Sequence, residues 1–333
     1  MQVKCHEAGF VEAELLAAID RLNVQGFCGF MYGSGFEAQP QLITKIAERI
    51  PLLGNAEQKV RDCKTAKTFF TALAEMEILY PEVRYQLTTH NSDTYLIKHA
   101  AGCGGGHVRF ARTEDVLEQN WYFQRHITGD SISLLFLANG QDVAAIGYHK
   151  QWTLDADNFS YGGSVSCTHL SEKVKQKLVE VAKKLTCRWS LLGLNSLDTI
   201  VKDEQVYVLE INPRLSASIA LYADDMHDLM SRHVQICKQL SSAYPWHHER
   251  KKTNAKAHAV VTFSCDVAIT EQQIWPEWVT DTPIVKQKTV IPAGIPICSV
   301  LAEAGDATLA RQLAEKRCEE VKTLLRLSHK EVA

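Results

Sequence analysis

No C-x-x-C pair occurs among the ten cysteines, which are scattered from Cys5 to Cys318. That spacing argues against a structural zinc site or a thioredoxin-type motif. No apolar run approaches the roughly 20 residues a helix needs to cross a bilayer. The opening Met1-Gln2-Val3-Lys4-Cys5-His6-Glu7 also lacks the basic start and apolar stretch of a secretory signal. Neither sign of charge is in excess: 36 Lys+Arg stand against 39 Asp+Glu, a formal net charge of −3. This argues against nucleic-acid binding through a general basic surface. With only 9 Pro and 18 Gly, the chain is neither collagen-like nor of the composition that stays disordered. These absences leave a cytoplasmic protein with free thiols, no membrane partner and no nucleic-acid partner as the expectation. The adjacent His247 and His248 lack companions at ligand spacing and read as surface residues.

What is present is ordinary globular material: 333 residues, 46% hydrophobic and 23% charged, enough for two or three domains. A helical pattern at 12–22 precedes an apolar run at 26–32, a second helical pattern at 42–50 and a short strand at 52–53 stopped by Gly54-Asn55. Strand, glycine turn, helix, strand is a βαβ unit. One helix is expected over 57–76. Strands follow at 95–98 and 121–127, then at 131–138 and 142–148 around Asn139-Gly140, a strong hairpin signal. Val174, Leu178, Val181, Ala182 and Leu185 mark an amphipathic helix, followed by strands at 196–200 and 206–211. A charge cluster at 249–252 suggests a late boundary, after which a strand at 257–263 and a helix at 307–325 look like a small α+β appendage. Trp152, Trp275 and Trp278 read as core before they read as a pocket.

Chemistry concentrates in 198–214. If the turn centres near Glu204, the flanking strands pair antiparallel and Asp198 lies opposite Glu210. Side chains alternate with period two, so Glu210 and Asn212 share one face, while Tyr207, Leu209 and Ile211 share the other. Asp198, Glu210 and Asn212 then converge as oxygen ligands suited to Mg²⁺. Arg214 follows with a fork for phosphate oxygens. An exposed polar hairpin face is the plain alternative; the apolar opposite face and the Pro213-Arg214 sequel weigh against it. Lys98 ends a strand that runs into Gly102–Gly106, whose backbone N–H groups could meet phosphate oxygens. The stretch matches neither a Walker nor a dinucleotide-binding glycine pattern, and a flexible hairpin tip explains the glycines equally well.

Together, Lys67, Lys98 with its glycine loop, the run Gln124-Arg125-His126-Ile127, Asp198 and Glu210-Ile211-Asn212-Pro213-Arg214 resemble the ATP-grasp superfamily, in its carbamoyl-phosphate-synthase-like branch. The resemblance covers about residues 54–218. It implies an ATP-grasp fold of mixed α/β and α+β type: a short Rossmann-like N-terminal lobe at 1–60, an ATP-clamping domain at 61–245 with about 90–150 as its small lid, and an α+β subdomain at 246–333. By position, Lys67 matches the first phosphate-binding lysine, with Lys64 as the alternative, and Lys98 matches the second. Gly104, Gly105 and Gly106 match the loop over the phosphates, and Gln124, Arg125, His126 and Ile127 the hinge whose backbone meets adenine. Asp198, Glu210 and Asn212 match the ligands of Mg²⁺ (or Mn²⁺), and Arg214 the residue that steadies the transferred phosphoryl group.

Three departures stand out. His99 replaces a proline, Gln124 replaces a glutamate whose place the amide carbonyl can take toward the adenine amino group, and Ser131 replaces a ribose-binding acid. Gly33-Ser34-Gly35-Phe36, Tyr161-Gly162-Gly163 and Trp275-Pro276-Glu277-Trp278 further resemble ATP-grasp proteins of methylotrophic bacteria, themselves distantly similar to archaeal tyramine–glutamate ligases of methanofuran biosynthesis. The implied activity is an ADP-forming ligase. It converts a small-molecule carboxylate to an acylphosphate with MgATP and couples it to an amine. A nucleotide sensor without turnover and a carboxyphosphate-forming carboxylase are the alternatives, and a homodimer is the default expectation for a soluble enzyme.

Overall fold

The computed structural model describes residues 5–6, 9–22, 26–87, 94–112, 114–154, 159–166, 169–239 and 254–330. His247, His248 and the charge cluster at 249–252 lie outside them. Among the described residues no helix is long and apolar enough to cross a membrane, and the cysteines described there from Cys28 to Cys318 are free thiols.

The N-terminal lobe begins with β1 (Cys5–His6) and β2 (Gly9–Phe10), then α1 (Glu12–Asp20) and α2 (Gln41–Ala47). Its expected βαβ unit survives in miniature, as a single parallel bridge between Phe30 and Leu52. Ile19, Tyr32, Phe36, Leu42, Ile43 and Ile46 fill the space between bridge and helices. The helix expected over 57–76 is two helices, α3 (Glu57–Lys64) and α4 (Ala66–Glu75). Thr65 is extended between them at φ −92°, ψ 110°. The break uncouples two helical phases: α3 ends with Lys64 turned inward, while α4 sends Phe69, Phe70 and Leu73 into the main core.

A small sheet holds β3 (Val83–Arg84), β4 (Tyr95–His99), β5 (Arg109–Phe110) and β6 (Trp121–Arg125), in the order β3-β6-β4-β5. The strands β7 (Asp130–Asn139), β8 (Val143–Thr153) and β9 (Tyr161–Ser166) start the large sheet, α5 (Glu172–Trp189) covers it, and β10 (Leu192–Lys202) and β11 (Gln205–Asn212) close one edge. The helix α6 (Met226–Cys237) then precedes β12 (Ala255–Val261), β13 (Val267–Ile269), β14 (Val279–Thr280), β15 (Thr289–Ile291), β16 (Cys298–Ala304) and α7 (Ala307–Lys330). The order across the large sheet is β11-β10-β7-β8-β9-β12-β16-β14, with β13 and β15 paired separately.

Two expected boundaries need correcting. The lid does not run over 90–150: the small sheet ends at Arg125, and β7 and β8 belong to the large sheet. The reason is burial on both faces. Ile132, Leu134 and Phe136 pack in the core under α5, while Leu135 and Leu137 pack in the cluster that holds Leu229 and Ile236 of α6. Such a strand belongs in the middle of a sheet. Nor do residues 246–333 form an appendage, since β12, β16 and β14 extend the same sheet. In β12, Ala255, Ala257, Ala259 and Val261 alternate into the core beneath α7 and leave His258 on the opposite face.

Asn55 fastens the N-terminal lobe to this sheet. Its Nδ2 donates to Asn195 Oδ1 at 2.9 Å and to the Pro213 carbonyl at 3.0 Å, and its Oδ1 accepts from the Leu192 N–H at 2.8 Å. Tyr32 OH donates to the Asn55 carbonyl at 2.5 Å. Asn55→Ala leaves several of these buried groups unpaired and is expected to lower stability by about 3 kcal/mol. The check is a drop in the urea midpoint at unchanged slope.

Candidate active site

The tight turn at Asp203 and Glu204, both at positive φ (48° and 57°), sets the register of β10 and β11. Asp198 pairs with Glu210 and Ser196 with Asn212, as expected from the period. The opposite face differs. A β-bulge shifts the pairing between Asp198 and Thr199, so that Thr199 faces Val208 and Leu209 is the extra residue. Val206, Val208 and Ile211 enter the core, whereas Leu209 lines the cleft instead.

Around the hairpin the polar groups converge. Asp198 Oδ2 accepts from Asn212 Nδ2 at 2.9 Å, and its Oδ1 accepts from Ser133 Oγ and from Gln151 Nε2, the latter at 3.3 Å. Lys64 Nζ lies 2.9 Å from Glu210 Oε2 and 2.7 Å from Asn212 Oδ1. Arg214 Nη2 reaches Asn212 Oδ1 at 3.3 Å, while its Nε donates to Glu37 Oε1 at 2.6 Å. Glu37 is itself oriented by the Gly35 N–H at 2.8 Å. Burial and the Glu210 charge push the Asp198 carboxyl above the usual range. At Glu210 burial acts the same way, but Lys64, Lys98 and Arg214 outweigh it and hold the group below its usual value. Burial lowers the Lys98 ammonium. Burial and Lys98 together bring His107 to about 4, so it is neutral at pH 7.

Lys98, Gly104, Gly105, Gln124, Arg125, His126, Ile127, Ser131, Asp198, Glu210, Asn212 and Arg214 all line one cleft of about 900 Å³ between the small and large sheets. Gly106, in the same loop, is not among the lining residues. Lys67 is not part of it. It is exposed on α4, and Lys64, one helical segment earlier, is the lysine that reaches the carboxylates. Sequence reasoning missed Glu37, Ser133 and Gln151; His107, which follows the glycine loop, lines the cleft as well. Only the alternation Ser131, Ser133 along β7 offered a clue, since it places both on the face of Asp198.

The amide of Gln124 points opposite to expectation. Its Oε1 accepts from Lys98 Nζ at 3.0 Å, and its Nε2 is buried with no partner. A lysine only donates, so it claims the carbonyl and leaves the amide N–H₂ to seek an acceptor such as a ring nitrogen of a base. The N–H groups of Arg125 and His126 donate to the carbonyls of Glu82 and Thr94, both at 2.8 Å, and so pin the hinge from within. Expected adenine contacts at the hinge must use groups other than these two.

The glycine loop touches the large sheet directly. Tyr161 N–H donates to the Gly104 carbonyl at 2.8 Å. A Cβ on Gly105, which sits at φ +75°, would lie 2.0 Å from the Phe159 carbonyl oxygen. Glycine is therefore required here for contact between lobes as well as for any approach to phosphate.

Residues 64–218 match the family model described as the ATP-grasp domain. The chain carries an ATP-grasp domain. It is 26% identical over 180 residues to the tyramine–L-glutamate ligase of Methanocaldococcus jannaschii, covering 53% of this chain and 52% of that protein. The chain thus spans about half the length of the curated relatives it matches. Among solved structures, the biotin carboxylase complex of Campylobacter jejuni superposes with a TM-score of 0.67 at 14% identity, covering 90% of this chain and 75% of that one. The L-amino acid ligase of Bacillus licheniformis gives a TM-score of 0.67 at 14% identity, covering 93% and 83%. At these identities the likeness establishes the ATP-grasp fold and nothing finer.

The donor set of this ATP-grasp domain suits a hard divalent cation. Two carboxylates and the Asn212 carbonyl offer oxygen only, and the ammonium of Lys64 already bridges two of them as a cation would. Among the described residues no three His, Cys, Asp or Glu side chains cluster as a metal site. A metal held here therefore needs Asn212 Oδ1 and outside oxygens, as from a phosphate chain, beside Asp198 and Glu210.

Proposed function

We propose that this chain is an ADP-forming, MgATP-dependent ligase that converts a carboxylate to an acylphosphate and joins it to an amine. One observation supports this above the rest: Lys98 and Arg214, with Lys64 bound behind them to Glu210 and Asn212, gather around Asp198, Glu210 and Asn212 in a cleft that a glycine loop also lines. Phosphoryl transfer depends mainly on positioning and charge stabilisation, and such a cage supplies both. Bound Mg²⁺, on Asp198, Glu210 and Asn212, would neutralise charge on the phosphates. Lys64 and Lys98 take phosphate oxygens, and Arg214, held by Glu37, steadies the group in transit. Gln124 Nε2 meets the base. The loop tied to Tyr161 keeps water from the acylphosphate.

Similarity to the tyramine–L-glutamate ligases makes L-glutamate and tyramine the first substrates to test, and we extend the proposal to the assembly of a C1-carrier cofactor of the methanofuran type. Purified protein with MgATP is expected to release ADP only when a carboxylate and an amine are both supplied, L-glutamate with tyramine first and a pool of other pairs next. ADP from no mixture, despite ATP binding, would make the chain a nucleotide sensor.

A further inference from the structure

The cleft continues past the nucleotide end onto residues that lie partly outside the family match. There it is lined by Trp152, Tyr161, His258, Asp281, Ser299 and Arg311, four of which come after residue 218. His258 is buried, with Nδ1 3.5 Å from Tyr161 OH and Nε2 3.5 Å from Asp281 Oδ2. Tyr161 OH is fixed in turn by Ser164 Oγ at 2.7 Å. Asp281 differs from its holder: its side chain is 68% exposed, so a charge anchored from within the fold faces open space. The hydrogen bond from His258 keeps that carboxyl below its usual range and hence ionised. Trp152 forms a wall. Its ring packs against Gly163, where a Cβ would come within 2.3 Å of it. The Arg311 guanidinium stacks 4.7 Å from the indole centroid and is engaged with Glu315 at 2.8 Å.

We propose that this end of the cleft is the acceptor pocket for a primary amine. Asp281 is the counter-ion of its ammonium, Trp152 the wall for its apolar arm, and His258 a positioning residue that aims Asp281. The proposal rests on the ligase reading and specifies its acceptor half. Charge decides which substrate goes where. A carboxylate substrate is drawn to Arg214 and Lys64 and repelled by Asp281, whereas an alkylammonium, with a pKa of about 10.4, is drawn to Asp281. In the coupling step the nitrogen lone pair forms the C–N bond and the C–O bond to phosphate breaks, phosphate leaving with its electron pair. Of the two protons the ammonium nitrogen gives up, one ends on phosphate and one in solvent.

The test uses full-length wild type, Asp281→Asn, Asp281→Glu and His258→Gln with MgATP. Carboxylates are L-glutamate and the other common amino acids, and nucleophiles are tyramine, simple alkylamines or hydroxylamine. Hydroxylamine is uncharged at neutral pH and traps the acylphosphate as a hydroxamate without needing a counter-ion. Asp281→Asn is expected to raise the KM for the amine and to lower the amide-to-hydroxamate ratio at least ten-fold. His258→Gln should move both the same way by less, and Asp281→Glu should restore part of the ratio. Proportional loss of both products, or an unchanged ratio, overturns the proposal. Hydroxamate from wild type without amide from any amine overturns the acceptor class alone. No hydroxamate from wild type in any mixture overturns the ligase reading and this assignment with it.

Discussion

Glu210→Ala is expected to cut Mg²⁺-dependent ADP release by about 10³-fold or more, equivalent to roughly 4 kcal/mol of transition-state stabilisation. Glu210 is the carboxylate that Lys64, Lys98 and Arg214 all act upon, and it is held ionised by them. Without it, two lysines and an arginine face a triphosphate with one fewer anion to position a divalent ion. The fold should persist, because the apolar face of β11, with Val206, Val208 and Ile211, is untouched. The comparison is ADP release against added Mg²⁺, with a thermal melt of the same samples. Turnover within ten-fold of wild type in a folded variant would refute the metal assignment.

The second large effect separates two neighbouring lysines. Lys64→Met should lower ADP release by about 10²- to 10³-fold, since a buried cation beside transferring phosphate contributes chiefly through charge in a water-poor site. Lys67→Met should stay within about two-fold, as expected of an exposed surface charge. The Lys64 side chain is 5% exposed and its partner Glu210 40%, so the ion pair is open on one side. Its loss should therefore cost about 1–2 kcal/mol of stability, less than breaking a fully enclosed pair. Parallel ADP assays and urea melts on both variants decide the matter; a large loss at Lys67 with none at Lys64 would restore the first expectation.

The outcome at these lysines shows what a sequence can and cannot convey here. Asp198, Glu210 and Asn212 were legible because their convergence is local: one tight turn and a two-residue period put them on one face. Lys64 was harder to choose over Lys67 because the break at Thr65 resets the helical phase, and only packing against the large sheet fixes that break. Leu209 went to the wrong face for a related reason, a single inserted residue in β11 that no pattern announces. Glu37 is 177 residues from Arg214 in sequence, and nothing short of the folded chain brings them together. The membership of β12 and β16 in the large sheet is likewise a long-range fact, although the small residues alternating in 255–261 agree with it.

Because the outer edge of β9 is covered by β12, the stretch recognised as the family domain is not a separable unit. A fragment excised at residues 64–218 would bare the N–H and C=O groups of β9 that now bond Ala257, His258 and Ala259. Such an edge invites pairing between copies. The C-terminal strands thus cover a sheet edge while they line the far end of the cleft, so shortening the chain would bare that edge and remove part of the cleft wall together.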